Sequence, residues 1–164
     1  MTVNPPEPPS CPLNALETRV PPPVVALVVA FLMWNASVWL GQAGAPAWRE
    51  AAVGMLVALG VLCDLSGLWA FHRVRTTVNP MKPTATSSLV ITGIYRWTRN
   101  PMYLGLALLL TAGAVHLWSP WALLGPVAFV AYINRFQIGP EERVMHERFG
   151  EAYAAYCLRV RRWV

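Results

Sequence analysis

Between Val24 and Leu40 the chain runs about 17 residues without a charge, close to the shortest helix that crosses a hydrocarbon core about 30 Å thick. The feature recurs. Ala51 to Phe71 supplies about 21 apolar residues interrupted by one acid, Asp64, and Met102 to Trp118 supplies about 17 more with no charge. Trp121 to Ile138 is apolar until Asn134 and Arg135, where a long arginine stem can carry its charge back to the interface. Ser119 and Pro120 leave room only for a tight antiparallel turn between the last two segments. With 55% of residues hydrophobic and 13% charged, the chain lacks the polar surface to hide such runs in water, where a soluble domain carries about 25% charged residues. The pattern predicts an all-α, polytopic membrane helix bundle of about four transmembrane helices.

Residues 1–23 are of another kind. Pro5, Pro6, Pro8, Pro9, Pro12, Pro21, Pro22 and Pro23 prevent helix there, and the segment has no basic stretch followed by a small-residue cleavage site. It reads as a disordered, proline-rich tail ahead of a single membrane domain, residues 24–164. The cysteines, Cys11, Cys63 and Cys157, have no metal-ligand spacing, and His72, His116 and His146 are far apart, so no metal site is expected.

Charge orients the bundle. Of the 13 Lys and Arg residues, all but Arg49 fall before the first run, between the second and third, or at and beyond the end of the fourth. The positive-inside rule then puts both termini in the cytoplasm, and a short bundle of this type suggests a bacterial inner membrane. The basic excess needs no nucleic acid, because attraction to anionic lipid headgroups accounts for it. Trp34, Trp39, Trp48, Trp69, Trp118 and Trp121 stand near run ends, as interfacial anchors do. Asp64 is an intramembrane ionisable group that faces either a helix partner or a hydrated cleft. Asn35 is expected to bond between helices, and Gly54, Ala58 and Gly105 to permit close helix approach.

Two cytoplasmic segments carry the polar density. In loop 73–101, Pro80 and Pro83 keep the chain extended, Gly93 allows a turn, and Pro101 opens the third run, where its missing N–H costs least. Tyr95, Arg96, Arg99, Asn100 and Tyr103 thereby reach the membrane surface beside a helix N-terminus, whose free N–H groups suit an anionic ligand group. In segment 135–164, Met145, Phe149, Ala152, Tyr153, Tyr156, Val160 and Trp163 recur at helical spacing, which predicts a C-terminal amphipathic interfacial helix. Glu141 and Glu142 open it directly after Pro140. From spacing alone they are either acids at a helix start or a binding pair.

LVITGIYRWTRNPMYLG followed, one hairpin later, by PEERVMHERFGEAYAAY and VRRW resembles the isoprenylcysteine carboxyl methyltransferase family and its relatives among integral-membrane methyltransferases, the phospholipid N-methyltransferases included. The resemblance covers about the second half of the chain, from Thr76 onward. It implies S-adenosylmethionine as cofactor, bound between the last hairpin, the preceding loop and the C-terminal segment. The absence of any Gly-x-Gly pair, which leaves a Rossmann-type loop without a candidate, agrees. Position by position, it places cofactor contacts at Ser87, Ser88, Leu89, Val90, Tyr95, Asn100, Pro101, Met102, Tyr103, Glu141 and Glu142. Glu141 would neutralise the methionyl ammonium, backbone N–H groups of Asn100 to Tyr103 would hold its carboxylate, and Tyr95 and Tyr103 would offer aromatic faces.

Two positions depart from the family's pattern. Asn100 replaces its histidine and cannot titrate near neutrality. Gln137 stands where the isoprenylcysteine enzymes carry a substrate-contacting arginine, which leaves Arg135 as the nearest cation. The methyl acceptor therefore extends beyond a prenylcysteine-like carboxylate to other small or lipophilic carboxylates, thiols and amines drawn from the bilayer. The apolar runs by themselves fit a non-catalytic membrane subunit, a small carrier, or a membrane reductase or isomerase equally well, but the first two leave the polar segments without a role.

Overall fold

The computed structural model describes residues 17, 19–40, 44–74 and 89–164. Those residues are all-helical apart from turns and short extended stretches, with no strand among them. In chain order they form α1 (Pro22–Leu40), α2 (Arg49–Val74), a 3-10 turn (Gly93–Arg96), α3 (Pro101–Leu117), a second 3-10 turn (Pro120–Leu123), α4 (Leu124–Ile133), a π turn (Asn134–Ile138) and α5 (Gly139–Arg159). Helices α1 and α2 contain stretches long and apolar enough to cross a membrane, Pro22–Trp39 and Arg49–Ala70, and α3 is a shorter apolar helix. Helix α1 begins inside the proline cluster, at Pro22 rather than after Pro23. Proline in a first turn loses no hydrogen bond that the helix would have made. Residues 1–16 of the expected tail lie outside the described residues.

Helices α1, α3 and α4 enclose the main core, in which Met33, Leu110, Leu117, Phe129, Ile133 and Ile138 are buried. The outward faces of α1 and α2 expose Phe31, Leu32, Val38, Met55, Leu62 and Leu65, as a helix surface facing lipid tails does. At one end of the bundle Trp48 meets Trp118 edge-on at 5.3 Å, and Arg49 Nη1 donates to the carbonyl of His116 at 3.1 Å. Arg49, the basic residue set apart in the sequence, thus sits at the end opposite Arg99, Arg135 and Arg162.

Helix α2 lies against α3 through glycine. A Cβ on Gly105 would collide with the Asp64 carboxylate and lie 2.8 Å from the Gly60 carbonyl, and one on Gly67 would lie 3.0 Å from Met102. Asp64 therefore faces a helix partner. The expectation for Gly54 and Ala58 fails: nothing lies within 4 Å of a Cβ on Gly54, and both residues are exposed. Asn35 also bonds within its own helix, donating to the Phe31 carbonyl at 2.9 Å, because its side chain points away from the three-helix core. Gly105→Ala is expected to cost about 2 kcal/mol, since the Gly60 backbone cannot yield, whereas Gly54→Ala should be neutral or gain up to about 1 kcal/mol of helix propensity. Thermal unfolding of the two variants in one detergent measures the contrast.

The last helical region differs from its simple reading in three ways. Trp121 to Ile138 is a 3-10 turn, an α-helix and a π turn rather than one α-helix. Gly150 has φ +49° inside α5, a backbone state that glycine adopts without penalty, so the amphipathic stripe is bent there. Helix α5 then stops at Arg159, and Val160, with φ −126° and ψ 129°, begins an extended strap. Val160 and Trp163 follow the helical spacing in sequence but are not helical.

Candidate functional site

Pro101 starts α3 with Asn100 at its N-cap position, and no side chain caps the helix. Just before it, the Asn100 N–H donates to the Thr98 hydroxyl at 3.1 Å. Pro101 has no N–H to give, so of the stretch expected to hold a carboxylate only Met102 and Tyr103 keep amides for a ligand. Met102 is half-buried and Tyr103 is buried. Tyr103 turns inward and its hydroxyl donates to Glu141 Oε1 at 2.6 Å, across 38 residues of sequence. The loop and the acidic pair therefore converge at one end of the bundle.

The two acids have different surroundings. Glu142 is held by cations on both sides: Arg99 Nη2 donates to Oε1 at 2.9 Å, and Arg162 donates from Nη2 to Oε2 at 2.5 Å and from Nε to Oε1 at 3.1 Å. The bonds to Glu142 raise the Arg162 guanidinium above its ordinary value. Glu141 has the Tyr103 hydroxyl in place of a cation. Burial pushes its carboxyl up to about 7, the Tyr103 bond opposes that shift, and the neighbouring Glu142 charge adds to it. A carboxyl poised near neutrality with no countercharge among the described residues is a common property of ligand-binding and catalytic sites.

The strap after α5 closes over the same end. The Arg99 N–H donates to the Arg161 carbonyl at 3.0 Å. The Asn100 side-chain amide donates to the Arg162 carbonyl at 3.0 Å, and Thr98 Oγ1 bonds it at 3.3 Å. Trp163 Nε1 donates to Asn134 Oδ1 at 3.1 Å. Asn100 thus serves here as a donor that fixes the strap, a task that needs no titration. Arg99 was placed at this surface by sequence but given no contact, and Thr98, Arg162 and Trp163 were not singled out as site residues. The signal lay in VRRW, whose cations match the acidic pair 20 residues earlier, but nothing in the spacing says that the chain turns back.

Tyr95 is buried, and burial raises its hydroxyl well above the ordinary tyrosine value, with the Tyr156 and Glu141 charges adding to the effect. The Tyr156 hydroxyl donates to the Tyr95 carbonyl at 2.7 Å, so the GIY turn is tied to α5. An open hollow of about 480 Å³ borders Gly93, Arg96 and Trp97 on that turn. Val90 is buried with Tyr95 and Ala70, while Leu89 lies against Tyr153, Tyr156 and Val160. Ser87 and Ser88 lie outside the described residues.

Arg135 and Gln137 are turned to the segment before α1. Arg135 Nη1 donates to Glu17 Oε1 at 3.1 Å. Gln137, fully buried, donates to the Val20 carbonyl at 2.6 Å, and its Oε1 has no hydrogen-bond partner among the described residues. The π turn, a feature frequent at functional sites, widens the helix here.

Fold and site define an all-helical membrane protein with an acid–tyrosine pair at the end of its bundle. Residues 48–152 match the phospholipid methyltransferase family, integral-membrane methyltransferases related to the isoprenylcysteine carboxyl methyltransferases, and the chain belongs to that family. Over 63 residues, 38% of this chain and the whole length of the relative, it is 43% identical to an uncharacterized protein of Haemophilus influenzae. The family match includes Tyr95, Asn100, Tyr103, Glu141 and Glu142, and leaves out Glu17 and the strap.

Proposed function

We propose that the protein is an S-adenosylmethionine-dependent methyltransferase acting on a small or lipophilic acceptor drawn from the bilayer. The observation that carries this reading is Glu141, a half-buried carboxyl with no cationic partner among the described residues, bonded to Tyr103. Beside it Arg99 Nε is buried with no hydrogen-bond partner among the described residues. An acid lacking a cation and a donor lacking an acceptor, on residues joined through Glu142, fit the ammonium and carboxylate of an amino-acid moiety. When bound, S-adenosylmethionine supplies a methyl group already activated on a sulfonium.

The chain's own contribution is to bind, align and exclude water. Glu141 receives the ammonium, Tyr103 fixes the carboxylate that does so, and Arg99 with the Met102 and Tyr103 amides receives the carboxylate. Tyr95, Leu89, Val90 and the hollow at Gly93 offer apolar and aromatic surface for a nucleoside. The strap, fastened through Arg162 and Trp163, keeps water from that end. In this reading the chain crosses a bacterial inner membrane four times with both termini cytoplasmic, α5 lies along the inner interface, and residues 24–164 act as one domain. The gathering of Arg99, Arg135, Arg143 and Arg162 at the site's end of the bundle, opposite Arg49, supports that orientation.

Calorimetry of the purified protein with S-adenosylhomocysteine tests the assignment, and an absence of binding overturns it. Incubation with methyl-labelled S-adenosylmethionine and membrane extract then identifies the acceptor class. Retention of a nicotinamide nucleotide instead would identify a reductase.

Binding should also depend on pH. Below about 7 the Glu141 carboxyl is neutral and has no charge for an ammonium, so affinity should fall about tenfold per unit as pH drops below 7 and level off above it. The ligand-free protein should behave in the opposite sense. Its folded state keeps a proton that the unfolded chain releases at the ordinary value of 4.5, so this contribution to stability is complete below 4.5 and is lost as pH rises to about 7. Calorimetric titrations and unfolding scans across pH 5 to 8 read the two trends.

A further inference from the structure

One cluster at the basic end of the bundle lies apart from the acid–tyrosine pair. The Glu17 carboxylate is held by two arginines, one on each oxygen: Arg135 Nη1 on Oε1 at 3.1 Å and Arg143 Nη2 on Oε2 at 2.6 Å. Glu17 is 15% exposed, while Arg135 and Arg143 are 50% and 58% exposed. Three residues further on, Gln137 holds the Val20 carbonyl, so the segment ahead of α1 is seated at two points on the π turn and the start of α5. Val20 packs against the main core, but the Glu17 end of the segment serves neither that core nor the donor site, and Glu17 lies outside the family match.

We propose that Arg135 and Arg143 form a binding site for a phosphate-bearing anion at the membrane surface, and that Glu17 occupies it at rest as an exchangeable stand-in. Three observations support exchange. Each arginine places one nitrogen on Glu17, although a guanidinium carries five N–H donors, so a phosphate group with more oxygens can engage more of them. Both arginines are half-exposed at the end of the bundle that also holds Arg99 and Arg162, and a phosphate group there meets them without leaving the headgroup plane. Gln137 Oε1 is buried without a partner among the described residues while the segment is seated, an energetic cost that water removes once the segment leaves. At Glu17 the segment is held by charge, and that contact is open to competition from a stronger anion. Its existence does not depend on methyl transfer.

The test uses the full chain in neutral phosphatidylcholine nanodiscs, with a nitroxide on R19C and the native cysteines replaced by serine. The label reports whether the segment is seated, and native mass spectrometry counts bound anions during titration with dihexanoyl phosphatidylglycerol or with inorganic phosphate. The label should start immobile and become mobile as the anion binds. E17Q should start mobile and bind the anion about tenfold more tightly, and the R135Q/R143Q variant should start mobile and bind neither probe. Release by phosphatidylglycerol alone identifies a lipid headgroup as the ligand, and release by inorganic phosphate at the same concentration identifies a soluble phosphate; either result supports the site. A label that neither probe mobilises, or equal anion binding by the parent protein, E17Q and R135Q/R143Q, overturns it.

Discussion

Glu141→Gln should weaken binding of S-adenosylhomocysteine by about a hundredfold or more, with little change in the stability of the ligand-free protein. The amide keeps an oxygen to accept the Tyr103 hydroxyl, which now donates at 2.6 Å, and it resembles the neutral carboxyl that burial favours up to a pH of about 7. What it removes is the negative charge, and an uncompensated ammonium in a desolvated site costs about 3 kcal/mol or more. Glu147 is exposed on the same helix, and Glu147→Gln should change affinity less than twofold. Calorimetry at pH 8, where Glu141 is charged, separates the variants. Equal affinities would remove Glu141 from the site.

Glu142→Ala should act first on the architecture. Its carboxylate is the point at which Arg99, ahead of α3, and Arg162, in the strap, are joined to α5. Removing it leaves the Arg99 charge, whose side chain is 14% exposed, without its partner, a loss of about 2 kcal/mol once partial solvent screening is allowed for. In a protein of this size that lowers the melting temperature by roughly 4–8 °C. Cofactor affinity should fall as well, because Arg99 is no longer held in place. Glu142→Gln keeps hydrogen-bond acceptors for both arginines and should recover part of the stability. A melting temperature unchanged in Glu142→Ala would show that the strap is held by its backbone bonds alone.

Helices α1, α2 and α3 were legible because each rests on a long apolar run, and Pro101 marked the start of α3 to the residue. Which glycines matter was not legible. Gly54 and Gly105 look alike in sequence, yet one faces open space and the other touches the Gly60 carbonyl of α2, a difference set by the rotation of each helix about its own axis. The direction of the chain after α5 was misleading for a similar reason. Val160 and Trp163 continue a helical apolar period, but the backbone turns extended at Val160; Val160 is buried against Tyr153 and Tyr156, and Trp163, partly buried, folds back to Asn134. The acidic pair was found from sequence as a unit. Its division into a Glu142 latched by arginines and a Glu141 bonded to Tyr103 depends on which side of one helical turn meets the arginines.

The sequence alone determined that this chain is a helical membrane protein, because the length of an apolar run and the position of charges are local properties that the bilayer reads directly. The tertiary structure decided that Tyr103 meets Glu141, that Arg162 returns to Glu142 and that Glu17 lies between Arg135 and Arg143. Those contacts join residues 20 to 126 positions apart. Their existence depends on helix rotation and on where the chain reverses, and neither is encoded in the spacing of any one segment.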